Sequence, residues 1–221
     1  MDPEKFEFVL LSFPVLLLAF CVHEFMHAWV ALKQGDDTAY MLGRVTLDPR
    51  AHIDPIGSIL FPLVGAFTGM PIIGWAKPTP TNPRKYRNYK RGDILVSIAG
   101  VCGNLGLAVL FALLYAVTVF IGTRMQSPPA VLGTAIDLFV IGVQLNVMLI
   151  FFNLLPVPPL DGSHVLYHLL PVNLAHAYRQ LFPYGMFILY ALLFVGALWP
   201  MWRLADRVTG AFLILGNLVA A

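Results

Sequence analysis

Long apolar runs separated by short polar stretches set the pattern of this chain. They fall at about 6–32, 56–75, 93–122, 134–155 and 182–202, with a weaker run from 208 to the end. A helix that crosses a bilayer needs roughly 20 apolar residues, so most of these runs have the length to span. The second run is different, because Gly57, Pro62, Gly65, Gly69 and Pro71 interrupt it, and such residues break or kink helices. The pattern predicts an all-α polytopic membrane protein with about 4–5 transmembrane helices.

Charge placement orders these elements. Lys77, Arg84, Lys85, Arg87, Lys90 and Arg91 form the densest basic cluster, between Trp75 and Asp93. Such a loop belongs in the cytoplasm by the positive-inside rule. The amino end carries Asp2, Glu4 and Glu7, and the first run ends at Lys33, so the first span is expected to run inward. A full crossing by 56–75 would then leave the basic loop outside. A re-entrant segment resolves the conflict, with its backbone covered by protein or lining a cavity. Residues 93–122 then run outward, Thr123–Pro129 is external, 134–155 returns, and His164 to Arg179 is cytoplasmic. A last span near 182–202 leads out, and Arg203, Asp206 and Arg207 interrupt the tail. Arg44–Leu47 and Lys77–Thr81, on either side of the re-entrant segment, read as short β-strands near the cytoplasmic face.

Composition agrees with the pattern. Of 221 residues, 58% are hydrophobic and 12% charged, and the mean hydropathy is +0.76. Soluble domains carry about twice that charge fraction. The spans leave almost nothing for a soluble domain, so residues 1–221 read as one integral membrane domain, with a core at about 6–170 and a C-terminal helical region at 180–221. The acidic amino end and the length of the first run argue against a cleaved signal peptide. A net charge of +2 argues against nucleic-acid binding. Cys21 and Cys102 both lie in apolar runs and read as packing residues, not as a disulfide framework.

Candidate chemistry sits inside the first run, at His23-Glu24-Phe25-Met26-His27. Residues four apart share a helix face, so two imidazoles converge on one metal with the glutamate beside them. Ionisable groups are costly inside a bilayer, which makes such a cluster a functional signal. At about 1.5 Å per residue, the distance to Lys33 puts the pair roughly 8–12 Å beneath the cytoplasmic surface. A catalytic zinc needs a third protein ligand, with a further position left for water. Asp161 is the best candidate, on irregular backbone after Pro156, Pro158 and Pro159, although Asp161-Gly162 is also an ordinary turn dipeptide. Asn153 either binds backbone freed by those prolines or donates to a developing oxyanion. His164 and His168, also four apart, are a second metal pair or surface histidines, and His176 reads as surface.

These residues resemble the site-2 protease family of intramembrane zinc metalloproteases. H-E-x-x-H in an early span and N-x-x-P-x-x-x-x-D-G in a later one match His23-Glu24-His27 and Asn153…Pro156…Asp161-Gly162. Gly43–Pro49, His52–Gly57, Gly74–Pro80 and Ala99-Gly100…Asn104 look like the compact bacterial members that lack a PDZ-like module. The resemblance covers about residues 15 to 170. Val101 departs from it, standing where the family often has proline.

The resemblance implies that His23, His27 and Asp161 bind one Zn2+ per chain. It further implies that Glu24 is the general base and that Asn153 holds the substrate or stabilises the intermediate. The substrate would be a transmembrane helix of a single-pass membrane protein, cleaved within the lipid bilayer, by an enzyme of the bacterial inner membrane with its site near the cytoplasmic side. An unwound helix could add to one of the strand edges. His52, Asp54 and Asn104 are candidates to orient a ligand or face the substrate cleft, set against a solvated loop for the first two and helix packing for Asn104. The alternative reading is a zinc-binding membrane transporter or sensor without peptidase activity.

Overall fold

The structure, a computed structural model, describes residues 3–68 and 74–220. Helix α1 spans Pro3–Gln34 and ends at Gly35, whose φ of 106° suits only glycine. There Asp36 N–H bonds Ala31 O at 2.9 Å and Gly35 N–H bonds Leu32 O at 3.1 Å, the paired closure of a Schellman motif. Two short turns follow, α2 at Thr38–Met41 and α3 at Pro49–His52, and then a π-helical turn over Pro55–Leu60 leads into α4 at Phe61–Thr68. Helices α5 (Tyr89–Thr123) and α6 (Ala130–Asn153) form the rest of the central bundle, and α7 (Asp161–Leu169) and α8 (Val172–Arg179) cap one end.

Among the described residues three helices are long and apolar enough to cross a membrane: Phe6–Gln34, Tyr89–Thr123 and Ala130–Asn153. The count reaches four if Val172–Phe194 and Trp199–Ala220, bent by 76° where they meet, form one broken span. The apolar run at 182–202 is therefore divided. Helix α9 (Gly185–Phe194) stops at a second Schellman closure, with Gly196 at φ 74° and Ala197 N–H on Leu192 O at 3.0 Å, before α10 (Trp199–Ala220) begins.

The core lies between α1, α5 and α6. Val15, Leu16, Ala19 and Phe20 of α1 meet Leu107, Ala108 and Phe111 of α5 and Val143 and Val147 of α6, with Ala205 of α10 closing the cluster. Small residues let these helices approach closely, as bilayer packing requires. A Cβ on Gly142 would collide with the Phe111 ring, and one on Gly103 would come within 2.8 Å of Met26. The outward face of α5 carries Leu105, Val109, Leu110, Leu113 and Val117, all exposed. That face belongs against lipid, and the chain is an integral membrane protein.

The two ends of the irregular second run lie side by side. Trp75 N–H bonds Gly57 O at 3.1 Å, and Ser58 Oγ donates to Trp75 O at 2.8 Å, so the chain comes back to the level at which it left. Residues 69–73 of this run, with Gly69 and Pro71, lie outside the described residues.

The expected β-strands are not there: the described residues contain no strand. Lys77–Thr81 is irregular and forms no ladder, because Pro78 and Pro80 lack N–H groups. Its remaining donors go elsewhere, Lys77 N–H to His52 O at 2.8 Å and Thr79 N–H to the Glu24 carboxylate at 2.7 Å. Nor does Arg44–Leu47 pair with it by backbone. Instead the Arg44 guanidinium donates to Lys77 O at 2.8 Å and Pro78 O at 3.0 Å.

Candidate metal centre

Helix α1 presents His23 and His27 one turn apart, and both are buried. The start of α7 brings Asp161 to them. The His23 and His27 Nε2 atoms lie 2.9 Å apart, and Asp161 Oδ2 is 3.3 Å from the first and 3.4 Å from the second. Among the described residues, this is the one group of three such side chains whose ligand atoms all fall within 4.8 Å of one another.

The hydrogen bonds around the site fix which ring nitrogens carry protons. His27 Nδ1 faces the Val96 carbonyl at 2.7 Å, so it must donate. His23 Nδ1 faces Asn104 Oδ1 at 2.7 Å. The Asn104 amide cannot be reversed, because its Nδ2 serves Ala19 O at 3.3 Å and Asn146 Oδ1 at 3.0 Å. Asn146 is fixed in turn by donating to Gly142 O at 2.9 Å. Both imidazoles thus donate from Nδ1, and in the neutral form each turns its Nε2 lone pair toward the other ring and toward a carboxylate oxygen.

Three acceptors crowded this way repel unless a cation sits among them. Asp161 Oδ2 is accordingly buried without a hydrogen-bond donor. Ligands about 2.0–2.2 Å from a tetrahedral zinc stand roughly 3.3–3.5 Å apart, close to the separations here. The donor set and its spacing fit zinc.

Glycine lets α5 come this close. A Cβ on Gly100 would stand 2.5 Å from both His23 Cε1 and His27 Nε2. Gly162 is as constrained, since a Cβ there would strike the Leu154 carbonyl at the end of α6. Glu24, next to His23, is also buried, and its Oε2 accepts the Thr79 N–H at 2.7 Å while Thr79 Oγ1 donates to Glu24 O at 3.0 Å. Oε1 is left to act. Thr79 lies between two prolines and behind the Arg44 clamp, so the donor that steadies the carboxylate is on rigid backbone.

The remaining sequence candidates divide. Asn104 lies against His23 and is completely buried. Asn153 donates to Leu149 O of its own helix at 3.0 Å. His52 is buried in the loop with Nε2 on Thr46 O at 2.8 Å, and Asp54 accepts Ile56 N–H at 2.9 Å and Gly57 N–H at 2.7 Å, capping the π-helical turn. His164 and His168 do not form a metal pair. His168 Nε2 lies 2.8 Å and His164 Nδ1 3.3 Å from Asp93 Oδ2, an ion-pair arrangement between α7 and α5.

Sequence reasoning gave no role to Asn146 or Asp93, and it quoted Gly100 and Thr79 only within stretches that carry the family resemblance. Asn146 had a signal, a lone amide in the middle of an apolar run. The Val96 carbonyl had none, since any residue supplies one.

Similarity to known proteins bears on the same residues. The family described as Peptidase family M50 matches residues 12–196. A Bacillus subtilis (strain 168) protein provisionally named zinc metalloprotease YwhC is 42% identical over 192 residues, covering 84% of this chain and 83% of its own length. A Mycobacterium tuberculosis (strain H37Rv) protein provisionally named zinc metalloprotease Rip2 is 34% identical over 181 residues, covering 80% of this chain and 62% of its own. No solved structure gives a significant match.

Proposed function

The chain belongs to peptidase family M50, the site-2 protease family, and on that premise we propose how its residues carry out intramembrane proteolysis. It is a zinc metalloprotease that hydrolyses peptide bonds of membrane proteins within or near their transmembrane segments. His23, His27 and Asp161 hold one zinc per chain. The observation that carries this assignment is the convergence of two histidine Nε2 atoms and an orphaned carboxylate oxygen on one point.

Zinc bound there supplies a Lewis acid that lowers the pKa of water toward about 7 and polarises a carbonyl. Glu24 is the general base. With Oε2 held by Thr79 N–H, Oε1 takes the water proton and later returns it to the leaving amine. Asn104, backed by Asn146, keeps His23 in the tautomer that binds metal, and the Val96 carbonyl does the same for His27. Asn153 serves the substrate oxyanion once that carbonyl competes with Leu149 O for its amide. His52 and Asp54 support the cleft wall, His52 through its carbonyl on Lys77 N–H and Asp54 by capping the turn that leads into the second run.

The substrate we favour is the helix of a single-pass protein, and the membrane is a bacterial inner membrane with the site near its cytoplasmic side. Support for that side comes from the basic loop. Arg87 N–H bonds Gln34 O at 2.8 Å and Lys85 pairs with Asp37, so the positive charges gather at the carboxyl end of α1. His27 lies about 10 Å along the helix from that end, at 1.5 Å per residue. We take about 6–170 as the catalytic core and 180–221 as an accompanying helical region. A zinc transporter or sensor would need ligands spaced along a path across the bilayer, whereas the polar groups here gather toward one end of the bundle.

Glu24→Gln tests the assignment. The variant should keep its zinc and lose about 10²–10⁴-fold in cleavage of a helical substrate, while His23→Ala loses both metal and cleavage. An active Glu24→Gln protein would remove Glu24 from the mechanism. Comparative membrane proteomics of cells carrying wild type or Glu24→Gln should show a single-pass protein accumulating with the variant.

A further inference from the structure

One stripe of α5 faces both histidines of the metal centre and the helix that carries Asp161. Asp93, Val96, Gly100 and Asn104 are spaced three, four and four residues apart and so lie along one helix face. Val96 O orients His27, Asn104 orients His23, and Gly100 gives both rings room. Asp93, at the end of the stripe, is buried and reaches no ligand directly. Its Oδ2 instead takes His168 Nε2 at 2.8 Å and His164 Nδ1 at 3.3 Å, both on α7, whose first residue is Asp161.

Close packing of Gly162 on the Leu154 carbonyl seats the first turn of α7, and the Asp93 contacts are the polar ties that hold the helix to α5. The N-cap of α7, Leu160, makes no side-chain cap bond, and the helix has only nine residues, too few for independent stability. The Asp93 contacts fall one and two turns along it from Asp161. The hydrogen bond to Asp93 raises the imidazole of His164 above its ordinary range despite burial, which favours the charged pair. His168 is boxed further by Tyr89 and Tyr167, whose rings stand edge-on at 5.2 and 5.0 Å.

We propose that Asp93 is the positioning residue for the third metal ligand: by tying His164 and His168 to α5, it fixes α7 and thereby holds Asp161 against the histidines of α1. The inference rests on the metal-centre reading above. It assigns to α5 the placement of all three ligands, the two histidines by direct contact and the aspartate through α7.

The test is a metal-binding cycle on the full-length protein in detergent, using Co2+ as a spectroscopic probe against a competing chelator. Asp93→Leu and His168→Phe should each weaken Co2+ binding on the order of ten-fold and alter the visible bands that report the carboxylate ligand. The double variant should be no weaker than either single one, because each already breaks the same clamp. Asp93→Asn, which still accepts from both imidazoles, should recover most of the affinity and the wild-type bands. Wild-type affinity and spectrum in Asp93→Leu, or strictly additive losses in the double variant, would overturn the proposal. If Asp93→Leu fails to fold, the Asp93→Asn spectrum and His168→Phe decide, and a normal spectrum in His168→Phe overturns it. His23→Ala separates the two levels of argument. Retained Co2+ bands there would defeat the metal-centre reading itself, whereas lost bands there with intact bands in Asp93→Leu would defeat this inference alone.

Discussion

Two regions of this protein use the same three side chains in opposite ways. At the metal centre, His23 and His27 sit one turn apart on α1 and meet Asp161 from the start of α7. Beside it, His164 and His168 sit one turn apart on α7 and meet Asp93 near the start of α5. Residue types and helix spacing are alike. What differs is where the imidazole hydrogens go. In the first group both Nδ1–H donors are already bound, to Asn104 and Val96, so only lone pairs face the carboxylate. In the second the hydrogens point at the carboxylate itself. One group requires a cation and the other is satisfied without one, and the difference is made by neighbours outside each triad.

The sharpest break of this comparison is removal of one member of each group. Asp161→Ala should lose zinc and cleavage outright, beyond the ~10–100-fold cost typical of outer partners, and metal analysis of the purified protein measures it. His164→Ala should leave most of the bound zinc in place, and equal loss in the two variants would erase the distinction. Next in size is Gly100→Ala, whose methyl would enter both rings and should cost on the order of 10–100-fold in zinc affinity. Gly106→Ala on the same helix has open space and should bind zinc as wild type does. Asn146→Leu is milder. It leaves the Asn104 amide half-satisfied and should lower zinc affinity about ten-fold, with a stability loss of about 1–3 kcal/mol in a thermal melt. Unchanged affinity there would mean that the amide relay does not set the His23 tautomer. Thr79→Val is the smallest, since the backbone donor to Glu24 survives and only the hydroxyl bond to Glu24 O is lost. About 1 kcal/mol, or roughly five-fold in cleavage rate with zinc content unchanged, is expected.

Legibility in the sequence followed the range of the interaction. His23, Glu24 and His27 could be placed together because helix periodicity is local, and the apolar runs marked α1, α5 and α6 because a bilayer imposes its own length. The run at 182–202 misled because composition alone does not show that Gly196 takes a left-handed φ and closes a helix there. Lys77–Thr81 misled for the opposite reason. Its pattern read as a strand, but Pro78 and Pro80 deny it a ladder, and donors of Lys77 and Thr79 go to His52 O and Glu24.

Sequence alone determined that two imidazoles share a helix face inside an apolar span, and that an aspartate after a proline-rich break was available to join them. Only the tertiary structure decided which histidine pair presents bare nitrogens. Asn104 lies 81 residues from His23, Val96 lies 69 from His27, and Asp93 lies 75 from His168. A proton's place on an imidazole is fixed by whichever acceptor stands within 3 Å, and helix packing, not helix periodicity, chooses that acceptor.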